Sequence, residues 1–205
     1  MPDGVETGHA AAGLLKYSGL RSGREAHPAQ EAPMPNLAVV GSQWGDEGKG
    51  KVVDLLAPAF AHVARYQGGP NAGHTVVFDG ASHALHHIPS AIFHAGVSSL
   101  IGGGAVVDPI RILEEIEGLE AEGVPVGERL RISPKAHVIL PVHRALDGAQ
   151  EIRRREEAIG TTKRGIGPVY AAKAERWGLR LGELGYPDRL VERMERIYGD
   201  ALAGR

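Results

Sequence analysis

Cysteine is absent from the 205-residue chain, and with it any disulfide framework or cysteine-ligated zinc site. The formal net charge is only −2, so no overall positive field favours nucleic acid or an anionic membrane as a partner. No apolar run approaches the roughly 18 residues that a membrane span requires. The N-terminus lacks the apolar stretch of a signal peptide. Together these absences predict a cytoplasmic location by default.

The first part of the chain differs in composition from the rest. Residues 1–35 are rich in Gly, Ala, Pro, Glu and His, show no sustained periodicity, and are bracketed by prolines at their end. This composition predicts a disordered leader, followed by an α/β unit over residues 36–205. A small capping element is the alternative for residues 1–33. Met34, just before the first apolar run, is a second candidate for the start of translation.

The most informative stretch is a glycine-rich segment, residues 41–51, with the sequence GSQWGDEGKGK. Apolar residues at 37–40 precede it and a second apolar run follows, which predicts a strand, a loop and a helix. Glycines let backbone N–H groups face an anion, and the helix N-terminus adds its positive end. The segment departs from the common phosphate-binding loop in its spacing and in Gly50, which replaces a Mg²⁺-binding hydroxyl residue.

Two carboxylates inside this loop argue for chemistry rather than for an ordinary turn. Asp46 and Glu47 lie where a triphosphate would bind. Negative charge at that place is costly unless it holds Mg²⁺ or moves a proton. The alternative interpretation is a glycine-rich turn before an ordinary helix.

The remaining pattern predicts alternating strands and helices with one hairpin. The predicted strands are 62–66, 99–101, 130–132 and 137–140, the helices are about 49–58, 108–123, 143–158 and 187–202, and the hairpin covers 75–88 with Asp79-Gly80 at its turn. This order favours an α/β fold with a largely parallel central sheet flanked by helices and a β-hairpin insertion. His83 and His87 are interpreted as surface residues of the hairpin rather than metal ligands.

Two further glycine-rich segments accompany the first. Residues 68–75 follow a predicted strand, so this segment and the first loop should meet at one edge of the sheet. Residues 160–168, GTTKRGIGP, combine two hydroxyls, two cations and three glycines, which suit an anion. A surface turn is the alternative for this third loop. The basic run at 153–155 is interpreted as a solvated helix face beside Glu156 and Glu157, not as a nucleic-acid site.

Taken together, the three loops resemble those of adenylosuccinate synthetases. The segments concerned are GSQWGDEGKGK at 41–51, RYQGGPNAGHT at 65–75 and GTTKRGIGP at 160–168, and the similarity runs from about Asn36 to about Leu184. Chains of that family continue well beyond this one. The resemblance therefore implies the N-terminal part of a P-loop-NTPase-related ligase, with the C-terminal part of the fold absent.

The resemblance also implies an activity. A cytoplasmic homodimer would join IMP and L-aspartate into adenylosuccinate, with GTP as co-substrate and Mg²⁺ as cofactor, and with neither nucleic acid nor membrane as partner. Asp46 would take the proton from N1 of IMP, so that the 6-oxygen attacks the γ-phosphate. His74 would act as general acid, and the 6-phosphoryl intermediate would lose phosphate to the aspartate amine.

The residue roles implied by the resemblance fall into four groups. The catalytic residues are Asp46, His74 and Lys49. GTP would be bound by Gly45, Asp46, Glu47, Gly48, Lys49, Gly50, Lys51, Gly73, His74 and Thr75. IMP would be bound by Asp46, Glu47, Gly48, Lys49, Asn71, Ala72, Gly73, His74, Thr162 and Arg176, the last reaching across to the partner subunit. Mg²⁺ would be held by Asp46 and the carbonyl of Gly73.

Two other functions compete with the ligase. One is a non-catalytic nucleotide- or IMP-binding module, which the missing later part of the family's chain favours. The other is a small-molecule kinase, which has no need of the turn at 71–75. Proteins specific for GTP often place an Asp two residues after a Lys to bind guanine, and no Lys of this chain has an Asp there. The sequence therefore assigns no residue to the guanine base or to the aspartate substrate.

Overall fold

The computed structural model describes residues 36–43, 48–71, 73–78, 80–154 and 160–202, so the leader predicted for 1–35 lies outside the described residues. Helices are α1 Lys49–Leu56, α2 Pro109–Ala121, α3 Val126–Arg129, α4 Pro141–Arg154, α5 Ile166–Ala174 and α6 Pro187–Leu202. Strands are β1 His62–Gly68, β2 His74–Phe78, β3 Ala81–Leu85, β4 Ser98–Val107, β5 Leu130–Ile132 and β6 His137–Val138. Within the described ranges, the helices fall short of the length and apolarity that crossing a membrane demands.

The sheet is parallel throughout, as the alternation of strands and helices predicts. β4 lies at its centre, between β1 on one side and β5 on the other. The pairing of β1 with β4 begins with His62 opposite Ser98. β6 pairs in parallel with the last two residues of β4. The predicted hairpin is also confirmed: β2 and β3 pair antiparallel and form a separate two-stranded sheet.

Strand β4 corrects one prediction. A short strand was expected to end before the glycines at 102–104, but β4 continues through them to Val107. A Cβ on Gly104 would overlap the carbonyl oxygen of Tyr66 in β1, and one on Gly102 would lie 3.3 Å from the Cα of Tyr66. The register of the β1–β4 pair shifts between Arg65 and Gln67 at this place. The glycines therefore mark close approach of two backbones, not a turn.

The strand predicted before the first glycine-rich loop is absent. Residues 36–40 have no strand pairing, and Leu37 and Val40 are 55% and 69% exposed. A strand depends on hydrogen bonds to a neighbouring strand. Among the described residues β1 pairs with β4 alone, so the apolar run at 37–40 has no neighbour there. The prediction was wrong because apolarity indicates burial, whereas pairing requires a partner.

The main core lies between β4, the hairpin and α2. Ile101 and Val107 of β4 pack with Leu85, Ile112 and Leu119. Val106, on the opposite face of β4, packs instead with Val169 of α5 and Ile139. Parallel sheets are covered on both faces, and the side-chain alternation along β4 supplies both contacts.

Helix α2 follows its predicted boundaries closely. The side chain of Asp108 accepts a hydrogen bond from the Arg111 amide at 3.3 Å, and Gly123, just beyond the helix, has a φ of +84°. An Asp cap and a Gly stop account for the ends of the helix predicted at about 108–123. Ile112 and Leu119 of α2 are buried, but Leu113 is 56% exposed.

Helix α5 was not predicted, because the third glycine-rich loop was expected to extend through Pro168. The helix begins at Ile166, directly after Gly165, whose φ is +77°. Pro168 lies in the first turn, where its missing N–H has no intrahelical partner to lose. The run VYAAKA from Val169 to Ala174 is rich in good helix formers, and it could have indicated this helix from the sequence.

The histidines of the hairpin are buried, which corrects their interpretation as surface residues. His83 is 8% exposed, and its ring lies 4.8 Å from that of Phe93. His87 is 2% exposed, and its Nε2 accepts a hydrogen bond from the Asp108 amide at 3.0 Å. Both histidines are therefore structural.

A buried polar pair joins α4 to α6. His143 is fully buried, its Nδ1 accepts a hydrogen bond from the Leu140 amide at 3.0 Å, and its Nε2 lies 2.9 Å from the hydroxyl of Tyr198. Because Nδ1 is an acceptor, the neutral ring carries its proton on Nε2 and donates it to Tyr198. Burial lowers the pKa of His143 to about 4 and raises the pKa of Tyr198 to about 12.

This pair predicts an acid-sensitive fold. The unfolded chain binds a proton at His143 below pH 6.5, whereas the folded chain resists protonation until about pH 4. Stability from this residue is therefore complete above pH 6.5 and is lost as the pH falls to about 4, by about 3 kcal/mol in all. We expect urea unfolding to show this dependence, and the His143→Gln variant to lose it. Superimposable pH profiles for the two proteins would contradict the prediction.

Candidate functional site

The first glycine-rich loop ends in the N-terminus of α1. Gly48 adopts a left-handed conformation with φ +76°, and its carbonyl accepts hydrogen bonds from the amides of Lys51 and Val52 at 3.0 and 3.2 Å. Only glycine takes up this backbone conformation without strain. The helix therefore starts abruptly, with its first N–H groups directed back toward the loop.

His74 packs directly on this first helical turn. A Cβ on Gly50 would lie 2.9 Å from the Cβ of His74, closer than side-chain carbons approach. The expected meeting of the first two glycine-rich loops is therefore present in the structure. It also explains why Gly50 replaces the hydroxyl residue of the common phosphate-binding loop. A Ser or Thr at position 50 would displace His74.

Arg65 of β1 determines the environment of His74. Its guanidinium donates hydrogen bonds to the carbonyls of Gly69, at 2.6 Å, His86, and His87, at 3.3 Å. Burial and, next, the positive charge of Arg65 lower the pKa of His74. The imidazole is therefore predominantly neutral at pH 7 when no anion lies nearby.

Glu115 of α2 holds the same backbone segment from the other side. Its carboxylate, 9% exposed, accepts hydrogen bonds from the amides of His86, His87 and Ile88 at 3.0–3.1 Å. Burial by itself would raise the pKa of Glu115, but the side chain of His87 and these amide hydrogen bonds outweigh burial and lower it. The ring of His86 lies against Gly73, where an added Cβ would meet Cε1 at 2.8 Å. Glu115 thus positions the residue that precedes His74.

The second and third loops also meet. A Cβ on Gly69 would lie 2.6 Å from Cδ1 of Ile166, and Arg164 donates a hydrogen bond to the carbonyl of Pro70. The hydroxyl of Tyr170 accepts a hydrogen bond from the Gly68 amide at 2.8 Å. The start of α5 therefore packs against the loop that leads to His74.

Several amides of the third loop are occupied by carboxylates from α4. Glu151 accepts hydrogen bonds from the amides of Gly160 and Thr161 at 2.5 and 3.2 Å, and Asp147 accepts one from Gly165 at 2.9 Å. An anion at this loop would therefore contact the exposed side chain of Thr162 rather than a nest of amides. Sequence reasoning missed both carboxylates because they lie in the preceding helix.

Arg176 lies apart from His74. It follows α5 with a φ of +69°, a conformation that non-glycine residues rarely adopt, and it is exposed. The amides of Trp177 and Gly178 both donate to the carbonyl of Ala172 at 3.1 Å, which closes the end of the helix. The side chain lines a cavity with Lys173 and other cations rather than with the loops around α1.

The other predicted site residues divide into two groups. Gly45, Asp46, Glu47 and Ala72 lie outside the described residues. Lys49, Lys51, Asn71, Gly73, Thr75 and Thr162 are exposed. Within the described ranges, no three His, Asp or Glu side chains cluster as metal ligands. The carbonyl of Gly73 is a hard oxygen donor of the kind that Mg²⁺ prefers, and it belongs to the loop next to α1.

Comparison with known proteins identifies relatives of this chain. The family model described as adenylosuccinate synthetase matches residues 38–202. The adenylosuccinate synthetase of Teredinibacter turnerae is 54% identical over 162 residues, which are 79% of this chain and 38% of that protein. A Stutzerimonas stutzeri protein of the same name is 56% identical, and the match covers 79% of this chain and 93% of the relative.

A solved structure agrees with the sequence relatives. The fully ligated adenylosuccinate synthetase of Plasmodium falciparum superimposes with a TM-score of 0.67 at 39% identity, over 78% of this chain and 39% of that one. This chain thus spans well under half the length of that structure and of the Teredinibacter relative. Sequence and fold agree over the same region, and the chain belongs to the adenylosuccinate synthetase family.

Proposed function

We propose that this chain carries the phosphate-handling part of a ligase that joins IMP and L-aspartate into adenylosuccinate, with GTP converted to GDP and phosphate. The contact between Gly50 and His74 is the observation that carries the proposal. It places an imidazole beside a helix N-terminus that is preceded by a loop with two carboxylates. Anion binding and proton transfer are thereby brought to one place.

The proposed reaction has two steps. Asp46 takes the proton from N1 of IMP, and the 6-oxygen attacks the γ-phosphorus of GTP as the bond to GDP breaks. The amine of L-aspartate then attacks C6, and phosphate leaves with the 6-oxygen. A free Asp has a pKa of about 3.9, so Asp46 acts as a base through positioning rather than through strength.

The surroundings of His74 support a role as a proton donor that becomes protonated when a phosphate group lies beside it. Burial and Arg65 lower its pKa in the ligand-free chain. A phosphate group beside it would raise the pKa again, because negative charge favours the imidazolium. The residue would therefore gain a proton as the nucleotide binds and give it up as charge develops on the phosphoryl oxygens.

The cofactor and substrate contacts follow from the same loops. Asp46 and the Gly73 carbonyl would hold Mg²⁺, which offsets negative charge on the triphosphate. The start of α1 with Lys49 and Lys51 would receive the GTP phosphates. Asn71 and Thr162, both exposed beside these loops, would hold IMP.

Arg176 supports the proposal of a cytoplasmic homodimer. Its side chain lines a cavity with Lys173, Arg180 and Arg193, and His74 is not among the residues that line it. An IMP-binding role therefore requires that it serve the site of a second copy. An arginine in a left-handed conformation is otherwise an unfavourable choice, since glycine would close the helix without strain.

A non-catalytic nucleotide-binding module is the second candidate. The described loops would contact phosphate groups, which GTP and ATP share, and none of these residues is assigned to guanine. Both candidates agree on phosphate binding and differ only in whether this chain turns over substrates.

The first prediction here concerns nucleotide choice. Because the 205-residue chain holds phosphates without holding a base, we expect weak binding of GDP and ADP with Mg²⁺, and equal affinity for both within about threefold. Isothermal titration of the purified chain measures both constants. A tenfold preference for GDP, about 1.4 kcal/mol, would show that guanine is recognised within these residues.

The second concerns Asp46. In a full-length enzyme with these residues, Asp46→Asn keeps size and hydrogen bonding but removes the base and a metal ligand. We expect kcat to fall by about 10²–10⁴-fold or more, with an unchanged melting temperature. Asp188→Asn on the exposed start of α6 is the matched control and should retain activity. A wild-type kcat for Asp46→Asn would exclude the assigned role.

The third prediction distinguishes the effect of Arg176 on IMP binding from its effect on the free energy of unfolding. Arg176→Gly relieves the left-handed strain but loosens the unfolded chain, so we expect a net gain of about 0.5–1 kcal/mol in unfolding free energy. In the full-length homodimer the same change should raise the KM for IMP. Urea unfolding and steady-state kinetics measure the two effects. A destabilised variant with a normal KM would assign Arg176 a purely structural role.

A further inference from the structure

The side chain of His87 joins the backbone segment 86–88 to helix α2. His87 is the middle residue of this segment, which follows β3, and it is 2% exposed. We propose that His87 is a positioning residue for the ligase reaction, which orients the carboxylate of Glu115 and thereby holds His74 beside the N-terminus of α1. The inference rests on the proposed function, because His87 acts on the reaction only through His74.

Both ring nitrogens of His87 face α2. Nε2 accepts a hydrogen bond from the Asp108 amide at 3.0 Å, and Nδ1 lies 3.6 Å from Oε2 of Glu115. Because Nε2 is an acceptor, the neutral ring carries its proton on Nδ1, on the side of the carboxylate. At 3.6 Å this is an electrostatic contact rather than a hydrogen bond. The Asp108 amide therefore fixes the tautomer that presents an N–H to Glu115.

Asp108 is itself held in place, so its amide is a fixed donor for His87. Its carboxylate is 3% exposed, accepts a hydrogen bond from the Arg111 amide at 3.3 Å, and pairs with Nη2 of Arg144 in α4. The first contact caps α2, and the second compensates a buried charge. The ring of His87 is thus attached to a point where α2 and α4 meet.

The carboxylate of Glu115 can hold the segment in only a narrow range of orientations. Oε1 accepts hydrogen bonds from the amides of His86 and Ile88, both at 3.1 Å, and Oε2 accepts one from the His87 amide at 3.0 Å. Rotation of the carboxylate would lengthen at least one of these bonds. The N–H of the His87 ring faces Oε2, the oxygen with a single amide donor, and therefore favours the observed orientation.

The orientation of this carboxylate reaches His74 through packing. The amides of segment 86–88 fix the backbone of His86, and the ring of His86 lies where a Cβ on Gly73 would meet its Cε1 at 2.8 Å. Gly73 directly precedes His74, which packs on Gly50 of α1. A displaced segment would therefore move the imidazole away from the phosphate-binding helix. A misplacement of about 1 Å can reduce a rate about 10²-fold.

Two substitutions distinguish the polar contacts of His87 from its volume. His87→Leu fills similar space, but it neither accepts from the Asp108 amide nor donates toward Glu115. His87→Gln supplies an acceptor and donors through its side-chain amide, and it should rescue the function. His83→Leu is the matched control, because His83 is also a buried histidine but pairs with Glu122 at the other end of α2.

Hydrogen exchange of the 205-residue chain, followed by NMR, reports the positioning. In His87→Leu we expect exchange at residues 74–76 and 86–88 to quicken about tenfold more than exchange at 99–101 of β4. His87→Gln and His83→Leu should stay within about threefold of the wild-type rates at 74–76 and 86–88. Unchanged exchange at 86–88, or an equal increase at 99–101, would overturn the proposal, because the effect of His87 would then be absent or global.

Steady-state kinetics of the full-length enzyme give the second readout. We expect kcat of His87→Leu to fall about 10–100-fold, with KM for GTP within about twofold of the wild-type value and most of the activity retained in His87→Gln. A wild-type kcat for His87→Leu, or an equal loss in His87→Gln, would also overturn the proposal. Failure of the proposed function is distinct, because the unsubstituted enzyme would then form no adenylosuccinate.

Discussion

The segment at residues 86–88 is held from two sides by opposite charges, and the position of His74 depends on it. Arg65 donates to its carbonyls and Glu115 accepts from its amides, so two largely buried ions satisfy each other through a shared stretch of backbone. Removal of either charge would leave the other uncompensated in the interior, which is strongly destabilising. The clamp joins β1 to α2 and presses the ring of His86 onto Gly73. Burial and, next, the charge of Arg65 lower the pKa of His74, so Arg65 contributes both to the geometry and to the proton affinity of the site.

The contacts around this clamp depend on missing side chains. Gly50 lets α1 rest on His74, Gly69 lets the second loop rest on Ile166, and Gly104 lets β4 approach Tyr66. Each is a close approach of backbone that any Cβ would prevent. Glycine here is mainly a packing requirement, even where the chain also binds anions. The loops therefore combine two demands, exposed N–H groups and tight packing, and the glycine pattern alone does not distinguish them.

This double role explains which features were predictable from the sequence. The parallel sheet, the hairpin, α2 and α6 follow from periodicity, caps and turn residues, and these predictions were confirmed. The strand at 99–101 was expected to end before the glycines of β4, because their partner, Tyr66, lies in a distant strand. His83 and His87 were mistaken for surface residues because their partners, the carboxylate of Glu122 and the amide of Asp108, come from elsewhere in the chain. Residue types predicted the local elements, but contacts between residues far apart in sequence could not be predicted from them.

The balance of charge differs between the surroundings of His74 and the cavity between α5 and α6. Around His74, burial and then Arg65 lower the pKa of the imidazole, while Glu115 and Asp54 oppose this shift without cancelling it. Between α5 and α6, one carboxylate, Glu183, faces four cations, so positive charge prevails there. Arg176 lines the cavity between α5 and α6, although the role implied for it is the binding of IMP. The amides of Trp177 and Gly178 both donate to the carbonyl of Ala172 and close this end of the helix, so the position of Arg176 does not depend on its own side chain.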